Sequence, residues 1–401
     1  MSDHPKQPSF KSQFLKQPLM ALMEWAKDDD QLNGLIGYNE LKNTYQFLKP
    51  LDDIQPGDFF KDDSLAVIKW YLIQKYDIKT TDNIIMQFIQ LQARKYIVNP
   101  IKDWLVSLKW DGICRLDSWL HIYTGASLSA YTAQAGRILL CGAVNRILNP
   151  GCKYDYMVIL EGEQGTMKST LFEVLGGDYY VSLSFGHHEK EIVENIQGAW
   201  FIEIADMNGF GKKEIEWLRA FLARRSDRCR LPYARNSGDF KRQNVFVATT
   251  NPSGDNEYLK DDTGNRRFIP IETKTLNIVG LRDVRDQLFA EAVARSRELL
   301  YLTGDGEKIA NEERLSRQES DIWLTPIREW VTIRGRTTSS EILRDCLHID
   351  IARASLYDRI RIGRVMKKLE WKRVQTNSGE WEYQNPNSNS TLNHKEEITW
   401  E

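Results

Sequence analysis

The sequence lacks the features that mark membrane proteins and disulfide-stabilised secreted proteins. Its 401 residues contain no apolar run of about 18, the length that a membrane-spanning helix needs. The polar N-terminus has neither the basic start nor the apolar centre of a secretory signal, so we expect a cytoplasmic protein with no membrane association. The five cysteines are scattered and odd in number, which argues against a disulfide framework and a zinc site: Cys114, Cys141, Cys152, Cys229 and Cys346.

The chain also lacks a strong net charge, but its cations are unevenly spread. A formal charge of −2 gives no overall attraction to a polyanion. Two segments, 219–242 and 353–373, each hold eight basic residues against two acidic ones. Such clusters attract phosphate backbones even in a neutral chain, although an isolated cluster is also consistent with an ordinary solvated face.

Hydrophobic periodicity divides the chain into three folded parts and a tail. Apolar spacings of three and four predict an N-terminal α-helical domain, residues 1–135. Short apolar strands then alternate with helices, which predicts an α/β core with a parallel sheet over residues 136–310. A third module is expected at 320–385, and a disordered tail at 386–401.

The segment LEGEQGTMKSTL, residues 160–171, has the pattern of a phosphate-binding loop between an apolar strand and a helix. In such a loop, backbone N–H groups and a helix N-terminus face the phosphates, a lysine neutralises their charge and a hydroxyl binds Mg²⁺. Lys168 and Ser169 occupy those two positions, which predicts ATP and Mg²⁺ as cofactors, whereas Met167 stands where glycine usually precedes the lysine. The residues predicted to contact the nucleotide are Gly162, Glu163, Gln164, Gly165, Thr166, Met167, Lys168, Ser169 and Thr170.

Two later strands end in polar residues that suit the same site. The strand AWFIEIA is followed by Asp206, the first choice for the carboxylate that binds Mg²⁺ or polarises the attacking water. Glu203 lies in that strand and, by alternation, on the opposite face, so it is the reserve choice. The strand NVFVATT is followed by Asn251, which is expected to sense the γ phosphate. A loop-starting acid and a simple Asn-Pro turn are the alternative interpretations.

Arg266 and Arg267 stand at the start of the last predicted core strand, RRFIPIE. An arginine at this position is suited to reach the γ phosphate held by a neighbouring subunit, as an arginine finger does. A pair of surface arginines is the alternative.

Together these segments resemble the virulence-associated protein E family of P-loop ATPases. The resemblance rests on SLKWDGICRLDSWL, GEQGTMKST, GAWFIEIADM, FLARRSDRCRLPYAR and VFVATTNPSGDNEYLKDDTGNRRFIPI, and it is best over residues 100–275. The motif order is similar to that of superfamily 3 helicases with an AAA+-like core. It implies an ATP-dependent DNA helicase of a mobile genetic element that acts as a homo-oligomeric ring, expected to be a hexamer, on single-stranded and forked DNA. Compared with the longer primase-helicases, the N-terminal domain is expected to be a docking or collar domain, and replication or phage proteins are its candidate partners.

The resemblance places a DNA-gripping β-hairpin in the segment SDRCRLPYARNSGDFKRQ, residues 226–243. The composition agrees, because cations surround an aromatic residue and an Asn-Ser-Gly turn joins the two arms. The hairpin residues predicted to contact DNA are Arg228, Arg230, Tyr233, Arg235, Lys241 and Arg242.

The segment from residue 337 to 384 predicts a winged helix-turn-helix. Ser339 or Ser340 is expected to cap a helix, after which a turn, a basic helix and a hairpin follow. Protein docking is the alternative use of such a module. The residues predicted to contact DNA on or near its recognition helix are Arg359, Arg361, Arg364, Lys367 and Lys368.

Two other functions are consistent with the same residues. Met167 motivates a DNA-binding replication initiator whose ATPase core has become a nucleotide-dependent oligomerisation switch with little turnover. The association with mobile elements motivates an interference or defence ATPase that binds a phage partner through the N-terminal domain.

Overall fold

The chain forms two compact units, residues 1–318 and residues 319–401. No helix within the described part of the chain is long and apolar enough to cross a membrane. The predicted tail at 386–401 lies outside the described residues. The computed structural model describes residues 14–183, 189–205, 207, 210–229, 237–251, 265–298, 300–317, 322–376 and 379–385.

The centre of the first unit is a five-stranded sheet in the order β10-β4-β9-β6-β5. Every neighbouring pair is parallel, which confirms the predicted parallel sheet. Because the strands are parallel, the carboxyl ends of β4, β6 and β9 meet at one edge of the sheet. The strands are β4 (Met157–Glu161), β5 (Tyr180–Leu183), β6 (Phe201–Ala205), β9 (Val245–Thr250) and β10 (Phe268–Glu272).

Helices cover both faces of this sheet. Along β4, Val158 and Leu160 belong to one buried cluster, whereas Met157 and Ile159 belong to another. This alternation across a strand that is buried on both sides produces three layers, helix, sheet and helix. The first face is covered by α4 (Pro100–Ser107), α5 (Trp119–Thr124), α6 (Ala130–Leu148), α7 (Lys168–Gly176), α10 (Ile278–Ala294) and α11 (Gly304–Ser316), and the second by α8 (Glu189–Asn195) and α9 (Lys212–Leu222).

The N-terminal region contains a sheet, so the prediction of an α-helical domain is wrong for the segments Ile36–Asn39, Thr44–Phe47 and Ile97–Val98. Its three strands pair in the order β2-β1-β3 beside the expected helices. Strands of four, four and two residues are too short for alternation to stand out from a helical pattern. The predicted boundary at residue 135 falls inside α6. The elements are α1 (Pro18–Asp28), β1 (Ile36–Asn39), β2 (Thr44–Phe47), α2 (Ser64–Tyr76), α3 (Asp82–Ala93) and β3 (Ile97–Val98).

A two-stranded antiparallel hairpin, β7 (Ser226–Cys229) and β8 (Gly238–Lys241), precedes β9.

In the second unit the element order is helix, strand, helix, helix and hairpin. Thr338, rather than Ser339 or Ser340, caps the second of these helices through a reciprocal capping box with Glu341. The elements are α12 (Leu324–Val331), β11 (Arg336–Thr337), α13 (Ser339–Glu341) continuing as a π-helical turn (Ile342–Cys346), α14 (Leu356–Lys368), β12 (Lys372–Gln375) and β13 (Trp381–Gln384).

Candidate nucleotide and nucleic-acid sites

The phosphate-binding loop, residues 162–167, joins the end of β4 to the start of α7. A Cβ atom at Gly162 would lie 2.6 Å from the Thr273 hydroxyl, so no side chain fits there without displacement. Gly165 has a φ of +81°, in the left-handed region that favours glycine. The loop therefore needs glycine at the first position for space and at the second for backbone conformation.

Met167 also adopts a left-handed conformation, with φ 64° and ψ 30°. For a residue with a Cβ atom this costs about 1–2 kcal/mol. The Met167 side chain is 52% exposed, so the departure from glycine adds backbone strain but does not fill the site.

Replacing Met167 with glycine is expected to stabilise the protein by up to about 1 kcal/mol, because relief of strain exceeds the added flexibility of the unfolded chain. We expect turnover of ATP to change by less than about tenfold. Denaturant unfolding and steady-state hydrolysis measure the two effects. Met167→Ala is the control, since it shortens the side chain but keeps the strain. A gain in turnover well above tenfold would show that the natural loop is impaired.

Lys168 is buried within the loop and has three close acceptors. Its ammonium donates to the carbonyl oxygens of Gly162 (2.8 Å) and Glu163 (2.7 Å) and to Oδ1 of Asn251 (2.9 Å). Burial lowers the pKa of Lys168, and the nearby Glu203 carboxylate opposes that shift. Two predicted site residues from different elements, Lys168 at the start of α7 and Asn251 just after β9, are thus in direct contact.

Glu203 lies beside the first turn of α7 and is fully buried. Its Oε1 accepts hydrogen bonds from the hydroxyls of Ser169 (2.7 Å) and Thr249 (2.5 Å), and its Oε2 accepts one from Tyr180. Burial, followed by the hydrogen bond to Glu203, raises the pKa of Tyr180. The reserve acid of the prediction is therefore the one that contacts the loop serine, whereas Asp206 lies outside the described residues.

The donor set at Ser169 and Glu203 suits magnesium bound together with phosphates. Mg²⁺ is usually held by one or two protein oxygens, with waters and substrate phosphates completing its shell. No group of three or more His, Cys, Asp or Glu side chains suited to a metal exists among the described residues. The Ser169 hydroxyl and the Glu203 carboxylate are too few ligands for an independent metal site, but they suit Mg²⁺ that is bound together with a nucleotide.

A cleft of about 420 Å³ opens over this arrangement at the carboxyl edge of the sheet. It brings the loop and two strand ends together, as the parallel topology requires. Its lining residues are Gln164, Gly165, Thr166, Met167, Lys168, Ser169, Thr170, Ala205, Thr249, Thr250 and Asn251.

Arg266 and Arg267 lie at the amino ends of the parallel strands, on the side of the sheet opposite the cleft. They immediately precede Phe268, which pairs with Met157 at the amino end of β4. Arg266 is exposed, whereas Nε of Arg267 donates to Asp155 at 3.0 Å. Five strand residues separate the two edges, roughly 16 Å, which exceeds the reach of an arginine side chain. Neither arginine is therefore positioned for the cleft of its own chain.

The hairpin arms place the predicted DNA-contacting residues in different environments. Arg228 and Lys241 are exposed. Arg242 is buried, and its Nε and Nη2 donate to the two Asp227 carboxylate oxygens at 2.6 and 2.7 Å. Arg242 therefore holds the base of the hairpin, and its predicted role in DNA contact is wrong in this structure. The other predicted hairpin residues lie outside the described part: Arg230, Tyr233 and Arg235.

We expect Arg242→Met and Arg228→Ala to have separable effects. Loss of Arg242 leaves Asp227 buried without its partner, which costs about 3–5 kcal/mol of stability. Loss of exposed Arg228 changes stability by less than about 0.5 kcal/mol but weakens binding of single-stranded DNA and reduces its salt dependence. Denaturant unfolding and fluorescence anisotropy at several salt concentrations measure these effects. An Arg228→Ala protein with unchanged DNA affinity would contradict the assignment of the exposed arm.

The basic residues of α14 are largely accessible. The guanidinium of Arg361 lies 4.0 Å from the centroid of the Trp323 ring, so this residue packs against the unit. Exposed Leu356 and Tyr357 begin the same helix. The four remaining predicted DNA-contacting residues of α14 are exposed: Arg359, Arg364, Lys367 and Lys368.

Tyr180 and Thr249 are site residues that the sequence analysis missed. Thr249 lies two residues before Asn251 at the end of β9, and Tyr180 begins the edge strand β5. Alternation along β9 could have identified Thr249, because it places Thr249 on the same face as Asn251 at the polar end of the strand. The hydroxyl of Tyr180 had no such signal, since its role depends on the pairing of β5 with β6.

The model of the virulence-associated protein E-like domain matches residues 105–319 of the chain. A solved structure described as the apo structure of the NrS-1 C-terminal region is similar, with 10% identity, coverage of 87% of this chain and 95% of that chain, and a TM-score of 0.49. A second, described as the A form apo structure of the same region, has the same identity and coverage and a TM-score of 0.48. Because both TM-scores are below 0.5 and the identity is 10%, these two structures assign neither a fold nor a function to this chain. No curated protein matches the chain.

Proposed function

The chain belongs to the virulence-associated protein E-like family, and from this premise we propose that it is an ATP-dependent DNA helicase that acts in replication of a mobile genetic element. The observation that carries the proposal is the convergence of Lys168, Ser169, Glu203 and Asn251 at the carboxyl edge of one parallel sheet. Phosphate-binding loops of ATPases combine a lysine and a hydroxyl with an acid from another strand of the sheet, and Glu203 in β6 takes that place here. The core is accordingly proposed to be AAA+-like.

Each of these side chains has a proposed role in hydrolysis. Lys168 exchanges its carbonyl acceptors for phosphate oxygens and neutralises their charge. Ser169 and Glu203 hold Mg²⁺, which when bound neutralises the developing charge on the phosphates. Asn251, already in contact with Lys168, orients the γ phosphate. Asp206 remains a predicted second acid that positions the attacking water.

The distant arginines support action as a ring, with each nucleotide at a subunit boundary. Arg266 is exposed and too far from the cleft of its own chain, so the γ phosphate that it can reach is the one held by a neighbouring subunit. Arg267 already binds Asp155, so Arg266 is the better candidate for the finger. A closed ring, proposed to be a hexamer, presents the same two edges at each boundary.

Mixing two inactive variants tests this geometry. Lys168→Ala lacks a working loop, and Arg266→Ala lacks the finger, so each alone is expected to hydrolyse little ATP. In an equal random mixture about a quarter of boundaries pair an intact loop with an intact finger, and hydrolysis should return to that extent. Arg267→Ala serves as the control, because it removes an ion pair within the chain. Failure of the mixture to recover activity, in a protein that forms rings, would exclude the shared site.

DNA binding is assigned to two surfaces. We propose that the exposed cations of the hairpin hold single-stranded DNA without reading its sequence. The second unit has the element order of a winged helix, and we propose that α14 binds duplex DNA at the fork through its exposed arginines and lysines. Salt should weaken both interactions, because each phosphate contact releases counterions.

Hydrolysis of ATP with and without single-stranded DNA tests the proposed function. We expect hydrolysis that DNA stimulates several-fold at low salt. The strained Met167 favours one competing function, an initiator that binds ATP tightly as an oligomerisation switch. Negligible turnover together with site-specific duplex binding would support that initiator and contradict the helicase.

A further inference from the structure

A buried ion pair lies directly behind the phosphate-binding loop. Glu161 is the last residue of β4 and immediately precedes Gly162. Nε and Nη2 of Arg317 donate to the two Glu161 carboxylate oxygens, each at 2.5 Å. The side chains of Glu161 and Arg317 are only 3% and 7% exposed. The pair is thus a parallel, two-bond contact removed from solvent.

Both partners are fixed by further bonds. Nη1 of Arg317 donates to the Glu313 carbonyl oxygen at 2.8 Å and to the Glu313 carboxylate, within the last turn of α11. The Glu161 carbonyl oxygen accepts from the backbone N–H and the hydroxyl of Thr273, both at 2.7 Å. The end of β4 is therefore held from two directions.

The contacts continue from this strand end to the predicted catalytic lysine. The residue after Glu161 is Gly162, whose carbonyl oxygen accepts from Lys168 at 2.8 Å. Gly162 has little room to shift towards Thr273, as the 2.6 Å approach at its Cβ position shows. The start of the loop is thus confined by Thr273 on one side and is joined directly to the residue that Arg317 holds.

We propose that Arg317 is a positioning residue for nucleotide binding, which it controls by fixing Glu161 and hence the departure of the loop from β4. The inference rests on the proposed ATP site. A buried ion pair is often no more stabilising than apolar residues of similar size, but a bidentate arginine–carboxylate contact fixes orientation as well as distance. That property suits a strand end from which a phosphate-binding loop begins.

The same helix provides a matched control. Arg314 is as buried as Arg317, since each side chain is 7% exposed. Its Nε donates to the carbonyl oxygen of Phe268 at 3.3 Å, and Phe268 pairs with Met157 at the far end of β4. Arg314→Met and Arg317→Met therefore remove the same charge at the C-terminal end of α11, but only the second removes a contact behind the loop.

Titration of the full chain with a fluorescent ATP analogue and Mg²⁺ tests the proposal, with thermal unfolding measured in parallel. We expect Arg317→Met to weaken nucleotide binding by about tenfold and Arg314→Met by less than about twofold, although both lower the unfolding temperature. Arg317→Lys keeps the charge without the bidentate geometry and should be intermediate.

The double variant Glu161→Gln/Arg317→Met separates positioning from folding. It removes both buried charges, so we expect most of the lost stability to return while nucleotide binding stays about tenfold weak. Recovery of wild-type affinity in the double variant, or equal loss of affinity in Arg314→Met, would overturn the role of Arg317. If the wild-type protein binds no nucleotide, the proposed function fails first, and that result is distinct from either outcome.

Discussion

Lys168→Ala is expected to reduce ATP hydrolysis by about a thousandfold or more. The ammonium is the cation that lies within the loop itself, with Gly162, Glu163 and Asn251 as its acceptors. Removal of a single preorganised group that stabilises developing charge costs about a hundredfold to a thousandfold in rate, and the lysine also contributes to binding. Steady-state hydrolysis at saturating ATP, compared with nucleotide titration, separates the two contributions.

Two variants show whether the Lys168→Ala effect is specific. Lys102→Ala removes an exposed lysine of α4 and should leave hydrolysis unchanged. Thermal unfolding of Lys168→Ala reports the cost of leaving its acceptors without a donor, about 1–3 kcal/mol. Hydrolysis within tenfold of wild type in a folded Lys168→Ala protein would remove the loop from the mechanism.

Glu203→Gln is expected to lower hydrolysis by about a hundredfold while nucleotide binding changes by less than about threefold. The substitution keeps the size of the side chain but removes the charge next to Ser169, where Mg²⁺ is proposed to bind. Tyr180→Phe is the matched control, because it deletes one hydrogen bond to Glu203 and leaves the carboxylate charged. We expect it to reduce hydrolysis by less than about tenfold.

Asp206→Asn decides between the two acids. If Glu203 holds the metal and Asp206 positions water, both variants lose hydrolysis, but only Glu203→Gln requires more Mg²⁺ for half-maximal rate. Hydrolysis of ATP by Glu203→Gln at the wild-type rate and wild-type Mg²⁺ requirement would assign the metal to another residue.

The core of this fold was predictable because its signals are local. The short apolar runs AWFIEIA, NVFVATT and RRFIPIE start and end within about two residues of β6, β9 and β10. Parallel pairing then required the ends of β4 and β9 to meet at one edge. The contact between Lys168 and Asn251 also requires β4 and β9 to be neighbouring strands, which the structure shows.

The parts that were not predictable depend on long-range packing. Alternation placed Glu203 and Asp206 on opposite faces of their strand, but it did not show which face α7 covers. Arg242 belongs to a cationic segment, and only the pairing of β7 with β8 shows that its partner is Asp227. The Glu161–Arg317 pair joins residues 156 positions apart in the chain, without any local pattern.

Unwinding of a forked DNA substrate tests the central claim most directly. A labelled strand displaced from a fork is measured for the wild-type protein and for Lys168→Ala, each with ATP and Mg²⁺ and with a non-hydrolysable analogue. We predict strand displacement by the wild-type protein with ATP alone, and none by Lys168→Ala. Displacement that survives in Lys168→Ala, or that proceeds with the analogue, would contradict an ATP-driven helicase.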